Sequence, residues 1–196
     1  LMAEMLRDEV PGEGQIYIGK LEEQIDRMNR LVTSLLTLSR LDAGTLPLKK
    51  ERVDIASAAQ AAADTLSPVL SHQKQIVEIQ EGPAASICAD FYWTVEIFIN
   101  LLKNSSEHTP AGGRILVSWE PNPIYTQVSV EDNGPGFAKE DLPNLFRRFY
   151  RGSSPAKDGI GIGLALARKL AQSQNASLTA ENNPTGGARF ILRFYH

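Results

Sequence analysis

Two glycine-rich runs narrow what this chain can fold into more than any other part of it: Asp132-Asn133-Gly134-Pro135-Gly136-Phe137 and Gly159-Ile160-Gly161-Ile162-Gly163-Leu164. Lacking a Cβ, glycine goes where a backbone must turn tightly or come close to a ligand. Either run alone is weak, because Asp-Asn-Gly-Pro-Gly also describes an ordinary turn and short glycine repeats arise by chance. Their order behind Asn100-Leu101-Leu102-Lys103-Asn104, with room for regular structure between, is what sharpens them. Helix, carboxylate with glycines, then glycines opening a second helix is an arrangement that points to a nucleotide site.

The chain ahead of these runs has a different period. Ile18, Leu21, Ile25, Met28, Val32 and Leu35 recur at spacings of three and four, the heptad seam of a helix that packs against partner helices, and Leu31, Leu38 and Leu41 widen the stripe. An amphipathic helix lying on its own domain has the same pattern. Leu1 to Val10 also reads as helix, and Pro11-Gly12-Glu13-Gly14 as a break, which together predict a helical hairpin with most of its first arm missing. Asp42-Ala43-Gly44 ends the long helix. The expected organisation is a partial helical hairpin over residues 1–44, a linker over 45–52 and an α+β domain over 53–196.

Within that domain, helices are expected from about Ile55 to Leu70, Phe91 to Glu107 and Gly161 to Asn175. Strands are expected at Ile76–Ile79, Ile87–Ala89, Arg114–Glu120, Thr126–Glu131, Ser177–Glu181 and Ala188–Tyr195, with low order from Ala138 to Asp158. On the helix after Asp90, Phe91, Val95, Phe98 and Leu102 fall on one side, read as core. Glu96, Asn100, Lys103, Asn104 and Glu107 fall on the other, which by pattern alone is also what a solvated face looks like. Two carboxamides one turn apart are uncommon there, since asparagine is a mediocre helix former. A neutral amide oxygen suits a magnesium ion that already holds phosphate oxygens, and Asn104 is the better placed of the two.

Asp132 closes an expected strand just before its glycines. Its carboxylate can accept from an exocyclic amine such as that of adenine, or it can simply cap its own turn. The second glycine run opens a helix whose free N–H groups attract phosphate. Between the runs lie Arg147, Arg148, Arg151 and Lys157 with Phe146, Phe149 and Tyr150: either a mobile loop that closes over phosphates or a solvated loop with an aromatic anchor.

Composition excludes several classes. With 20 basic against 23 acidic residues in 196, the net charge of -3 offers no field for nucleic acid or an anionic membrane. Cys88 is the single cysteine, so no disulfide framework or thiolate cluster can form, a reducing compartment fits, and the residue reads as a small buried hydrophobe. No run approaches the roughly 18 apolar residues of a membrane span.

These segments resemble a known family. Asn100 to Pro110 resembles the N box of bacterial sensor histidine kinases, Asp132 to Phe137 their G1 box, Leu145 to Arg151 their F box and Gly159 to Leu164 their G2 box. Leu35 to Gly44 is similar to the end of their second dimerisation helix. The resemblance implies a two-layer α/β sandwich of the Bergerat type that binds ATP with Mg2+ and passes the γ-phosphate to a histidine on the dimerisation hairpin. It implies Asn104 as magnesium ligand, Asn100 in the phosphate region, Asp132 on the adenine amine, and Gly134 and Gly136 at the adenine end. Gly159, Gly161, Ile162, Gly163 and Leu164 fall at the lid hinge and phosphate end, and His108 where an aromatic residue often meets the nucleotide.

Two departures stand out. Glu107 occupies a position where many members carry lysine, and none of His72, His108 and His196 has the place or context of the phosphoacceptor, which is therefore expected upstream of Leu1. The implied partners are a second copy through the helical segment and the receiver domain of a response regulator. This part is expected in the cytoplasm, with any membrane anchor in upstream segments. Alternatives within the superfamily are an ATP-hydrolysing clamp and an anti-sigma serine kinase. The clamp places a glutamate one turn before the magnesium asparagine, where this chain has Asn100, a poor general base. The serine kinase would lack the heptad helix, and a binding-only module with a dead site fits poorly with intact boxes.

Overall fold

A computed structural model describes residues 13–80, 85–152 and 160–196. The expected helix over Leu1 to Val10 lies outside these residues, as do Pro11, Gly12, Lys157 and Gly159. Helix α1 runs from Glu13 to Asp42, so Glu13 and Gly14, expected in a break, are its first turn. Glycine costs most in a helix interior, and at the first turn that cost is small beside thirty residues of continuous helix. The other end stops as its glycine dictates: Gly44 adopts φ +64°, and the Gly44 and Thr45 N–H groups donate to Leu41 O and Arg40 O at 3.2 and 2.9 Å. Along α1 the apolar residues part company. Leu21, Ile25, Met28 and Val32 are more than half exposed, whereas Leu38 and Leu41 are buried in the core of the α+β unit.

That unit has two layers. Strands β2 (Ile76–Ile79), β4 (Arg114–Pro121), β5 (Tyr125–Asp132), β6 (Ala176–Asn182) and β7 (Ala188–Tyr195) form one sheet in the order β2-β4-β5-β7-β6, with β2 parallel to β4 and every other pair antiparallel. Alternate residues face the helices: Val117, Val130 and Phe190 sit opposite one another across three strands, as do Val128, Leu192 and Leu178, and all six are buried. Helices α2 (Ile55–His72), α3 (Phe91–His108) and α4 (Gly163–Ser173) supply the other layer, with Ala59, Phe98, Leu102 and Leu170 fully buried. Truncating a buried aromatic such as Phe98 to alanine would cost about 3 to 5 kcal/mol.

Caps fix the helix starts. Asp54 accepts from the Ser57 N–H and Asp90 from the Trp93 N–H, satisfying donors that a helix start leaves free, and the other oxygen of Asp90 accepts from the Lys49 N–H. Gln174, buried at the end of α4, accepts from the Asp90 N–H at 2.7 Å and so ties the start of α3 to the end of α4.

Three expectations need correction. The linker does not run through Arg52: β1 (Glu51–Asp54) pairs antiparallel with β3 (Ser86–Ala89), a strand with one apolar residue, Val53, and no alternation to betray it. Cys88 is exposed, because it alternates with buried Ile87 and Ala89 on β3. Phe91 is also largely outside the core, whose α3 face is formed by Ile97, Phe98, Leu101 and Leu102; packing against both the sheet and its neighbouring helices broadens the buried face beyond a single stripe.

Candidate functional site

Asp132, the last residue of β5, is buried, and its two carboxylate oxygens do different things. Oδ1 accepts from the Gly134 N–H at 3.0 Å, the turn that the sequence allowed, and from the Ala188 N–H at 3.1 Å. Oδ2 is buried with no hydrogen-bond partner. An unpaired acceptor in that position costs free energy until a donor arrives, so the carboxylate is held by one oxygen and left open by the other.

The surrounding backbone leaves no slack. A Cβ on Gly134 would lie 2.8 Å from the carbonyl oxygen of His108, the last residue of α3. A Cβ on Gly136 would lie as close to Asn182, whose amide grips Phe137 at both ends: Oδ1 accepts the Phe137 N–H at 2.7 Å and Nδ2 donates to the Phe137 carbonyl at 2.9 Å. At Gly187, φ is +91° and any methyl group would overlap the Asp132 carbonyl. The β6–β7 turn thus packs directly against Asp132, a closeness that the two strand assignments did not reveal. Asn182 and Gly187 were the missed residues, and the glycine pair Gly186-Gly187 was the available signal.

On α3, Asn100 and Asn104 share a face one turn apart. The Asn100 amide donates to the Glu96 carbonyl at 2.8 Å, and its Oδ1 would be 2.7 Å from a Cβ on Gly163, so it is packed against the first residue of α4. Asn104 is half-buried, and its amide makes no hydrogen bond among the described residues. Glu107 pairs with Lys103 at 3.8 Å, and burial pushes the Glu96 carboxyl above its ordinary range. Buried Gln75 steadies the end of α3 by donating to the carbonyls of Ser106 and Thr109 at 3.0 and 2.8 Å.

The loop between the glycine runs is pinched at its base. The Phe149 N–H donates to the Gly161 carbonyl at 2.7 Å, with φ at +64° and +76° respectively, and a methyl group on Gly161 would overlap the Tyr150 carbonyl. Tyr150 donates its hydroxyl to Asp141 at 2.7 Å, a carboxylate that raises the phenol above its ordinary range. Helix α4 then starts at Gly163, two residues later than expected, with no side-chain cap on its first N–H groups. Ile162 is buried in the core and Leu164 is half-buried against it, so at Ile162 only the backbone is available to a ligand. Arg148 points elsewhere: it is paired with Asp42 of α1. Among the described residues no cluster of three histidine, cysteine or acidic side chains could cage a metal. An amide beside bound phosphate oxygens is nevertheless a donor set that magnesium accepts, and Asn104 fits it.

The chain belongs to the Histidine kinase-, DNA gyrase B-, and HSP90-like ATPase family, whose model matches residues 90–196. Residues 1–44 match the model of the His Kinase A (phospho-acceptor) domain, although no histidine occurs in them. Together with its relatives, these matches place the chain among the bacterial sensor histidine kinases, and they disfavour the clamp and serine kinase. It is 34% identical over 200 residues to the sensor protein SphS of Synechococcus elongatus, covering 96% of this chain and 48% of that protein. With the signal transduction histidine-protein kinase AfsQ2 of Streptomyces coelicolor it shares 31% identity, over 98% of this chain and 37% of that one. The chain therefore spans less than half the length of these curated relatives.

Solved structures agree on the fold. Full-length ShkA in complex with AMPPNP superposes with a TM-score of 0.84 at 25% identity, covering 99% of this chain and 42% of that one. The Acinetobacter baumannii histidine kinase AdeS gives 0.79 at 22% identity, over 95% and 86% of the two chains. The histidine kinase ThkA in complex with the response regulator protein TrrA gives 0.74 at 18%, over 95% and 52%.

Proposed function

We propose that this chain binds ATP with magnesium in the cleft between α3 and the two glycine runs, and donates the γ-phosphoryl group to a histidine on a dimerisation hairpin for relay to an aspartate of a response regulator. The observation that carries the reading is Asp132 Oδ2, a buried acceptor without a donor, on a carboxylate whose other oxygen is held by two backbone N–H groups. An adenine amine completes it. Asn100 and the uncapped start of α4 mark the phosphate end. Asn104 would hold Mg2+, which when bound supplies charge for the phosphate oxygens. His108 would line the nucleotide near Gly134. Phosphoryl transfer asks the protein mainly for position and charge, and a rigid base pocket meets that need.

The exposed seam of α1 supports self-association, because soluble monomers avoid an apolar stripe of this length. Charged residues in place of Ile25 and Val32 should give monomers that still bind ATP, as light scattering and titration would report. The complex of ThkA with TrrA supports a receiver domain as second partner. The proposed organisation is a hairpin segment over 1–44 and the ATP-binding domain beyond it, with the linker shortened to 45–50 because β1 begins at Glu51. No helix among the described residues is long and apolar enough to cross a membrane. By its family this part is proposed to lie in the cytoplasm, with any membrane anchor in upstream segments.

Calorimetric titration tests the reading. Asn104→Ala should weaken Mg-ATP binding by about 1.5 to 3 kcal/mol, the range for a hydrogen bond to a charged group, with the fold retained. Unchanged affinity would remove the magnesium role, and absence of ATP binding by the unmutated chain would remove the whole proposal. Transfer is read by supplying a separate hairpin that carries the histidine, together with labelled ATP.

A further inference from the structure

One carboxylate joins the last turn of α1 to the nucleotide unit. Asp42 accepts from Arg148 Nη2 at 2.5 Å and pairs with Lys169 Nζ at 3.2 Å. The two cations come from different places, Arg148 from the loop between the glycine runs and Lys169 from α4. Both line an open cavity of about 250 Å³ with Phe146, Ala165, Arg168 and Gln172. Arg168 lies over the Phe146 ring at 5.0 Å. The cavity is therefore cationic, and Asp42 is the carboxylate that meets it.

Arg148 directly precedes Phe149, whose N–H is bonded to Gly161 at the base of the loop. A change in the loop that swings Arg148 toward a nucleotide must take it from Asp42, because one guanidinium fork serves one anion well. The pairs are about two-fifths exposed, which makes them weak enough to exchange. Leu38 and Leu41 are buried in the core, which gives the last turn of α1 an apolar anchor besides the ion pair.

We infer that Asp42 and the nucleotide phosphates compete for Arg148, so that docking of the end of α1 and the grip of the loop on ATP oppose each other. This rests on the ATP reading above and adds its regulation: whatever pulls α1 off the cavity tightens nucleotide binding, and ATP in turn loosens α1 by the same factor. Hydrogen bonds from Arg148 and then Lys169 also hold the Asp42 carboxyl below its ordinary range, so it is charged at neutral pH.

The test is Mg-ATP titration combined with amide hydrogen exchange. Asp42→Asn should bind Mg-ATP roughly 3- to 10-fold more tightly, given the strength of exposed ion pairs, and residues 38–45 should exchange faster. Saturating ATP should speed exchange there in the unmutated chain, and Asp42→Glu should bind ATP as the unmutated chain does. In an Arg148→Gln background, Asp42→Asn should change nothing, whereas a general field effect would persist. Equal affinities for the unmutated chain and Asp42→Asn, or additive effects in the double variant, would overturn the competition while leaving ATP binding intact. Failure of the unmutated chain to bind Mg-ATP would overturn both.

Discussion

The two ends of the nucleotide cleft are built on opposite plans. At the Asp132 end, backbone groups do the holding: two N–H donors fix one carboxylate oxygen, and carbonyls crowd Gly134 and Gly187. At the lid end, side chains do it: Arg148 and Lys169 pair with Asp42 at a half-open surface, and Phe149 is 58% exposed. Backbone contacts cannot be exchanged without unfolding, whereas exposed ion pairs can. On the proposed function, base selection falls in the rigid part and phosphate grip in the adjustable part.

The largest effect should come from filling the rigid end. Gly187→Ala combines an unfavourable φ of +91° with overlap of the Asp132 carbonyl. It should lower stability by about 3 kcal/mol, a melting temperature roughly 6 to 12 °C lower for a chain of this size. Normal melting would show that the turn yields and that this end is no more rigid than the other. Next in size, Asp132→Ala should weaken ATP binding by roughly 10- to 150-fold, the cost of one hydrogen bond to a charged group. Asp132→Asn should erode the preference for ATP over GTP, whose carbonyl would face the carboxylate without a proton. Equal binding of ATP and GTP by the unmutated chain would take base selection away from Asp132.

The smallest expected effect concerns Glu96, on the α3 face below Asn100. Burial raises this acid, so the folded chain keeps its proton to a higher pH than the unfolded chain does. Its contribution to stability is therefore full below the free glutamate pKa of about 4.3 and is lost as pH rises through the folded value. Glu96→Gln should raise the melting temperature at neutral pH by a few degrees at most and flatten its decline above that range. A lower melting temperature would mean that the charged form has a partner, and would make this part of the cleft as well paired as the Asp132 end.

Much of this molecule is readable from local pattern. The expected strands match those found to within two residues at each end, because alternation and turn residues are local signals. What escaped depends on closeness in space. Asn182 meets Phe137 across 45 positions, Ala188 meets Asp132 across 56, and Arg148 meets Asp42 across 106. No periodicity encodes such pairs. Asp132 shows the limit well: capping its own turn and awaiting a donor looked like rival readings, yet the structure gives one oxygen to each. Strand β1 was missed for the opposite reason, since Glu51-Arg52-Val53-Asp54 has almost no pattern and is a strand only because Ile87 and its neighbours are there to pair with it.

The long helix carries a consequence of phase. Leu31, Leu38 and Leu41 face the α+β unit, while Leu21, Ile25, Met28 and Val32 form an adjacent outward stripe on the same rod. A helix of this length spans about 45 Å and resists twisting, so the angle between the stripes is set by residue count alone. Whatever packs on the outward stripe thereby dictates, through α1, the bearing of the nucleotide unit around the bundle axis. One residue inserted between Leu35 and Leu38 would turn that bearing by about 100°, while seven would restore it to within about 20°. The spacing of leucines along α1 is thus an angular instruction, written in sequence and read out as the direction in which the cleft faces.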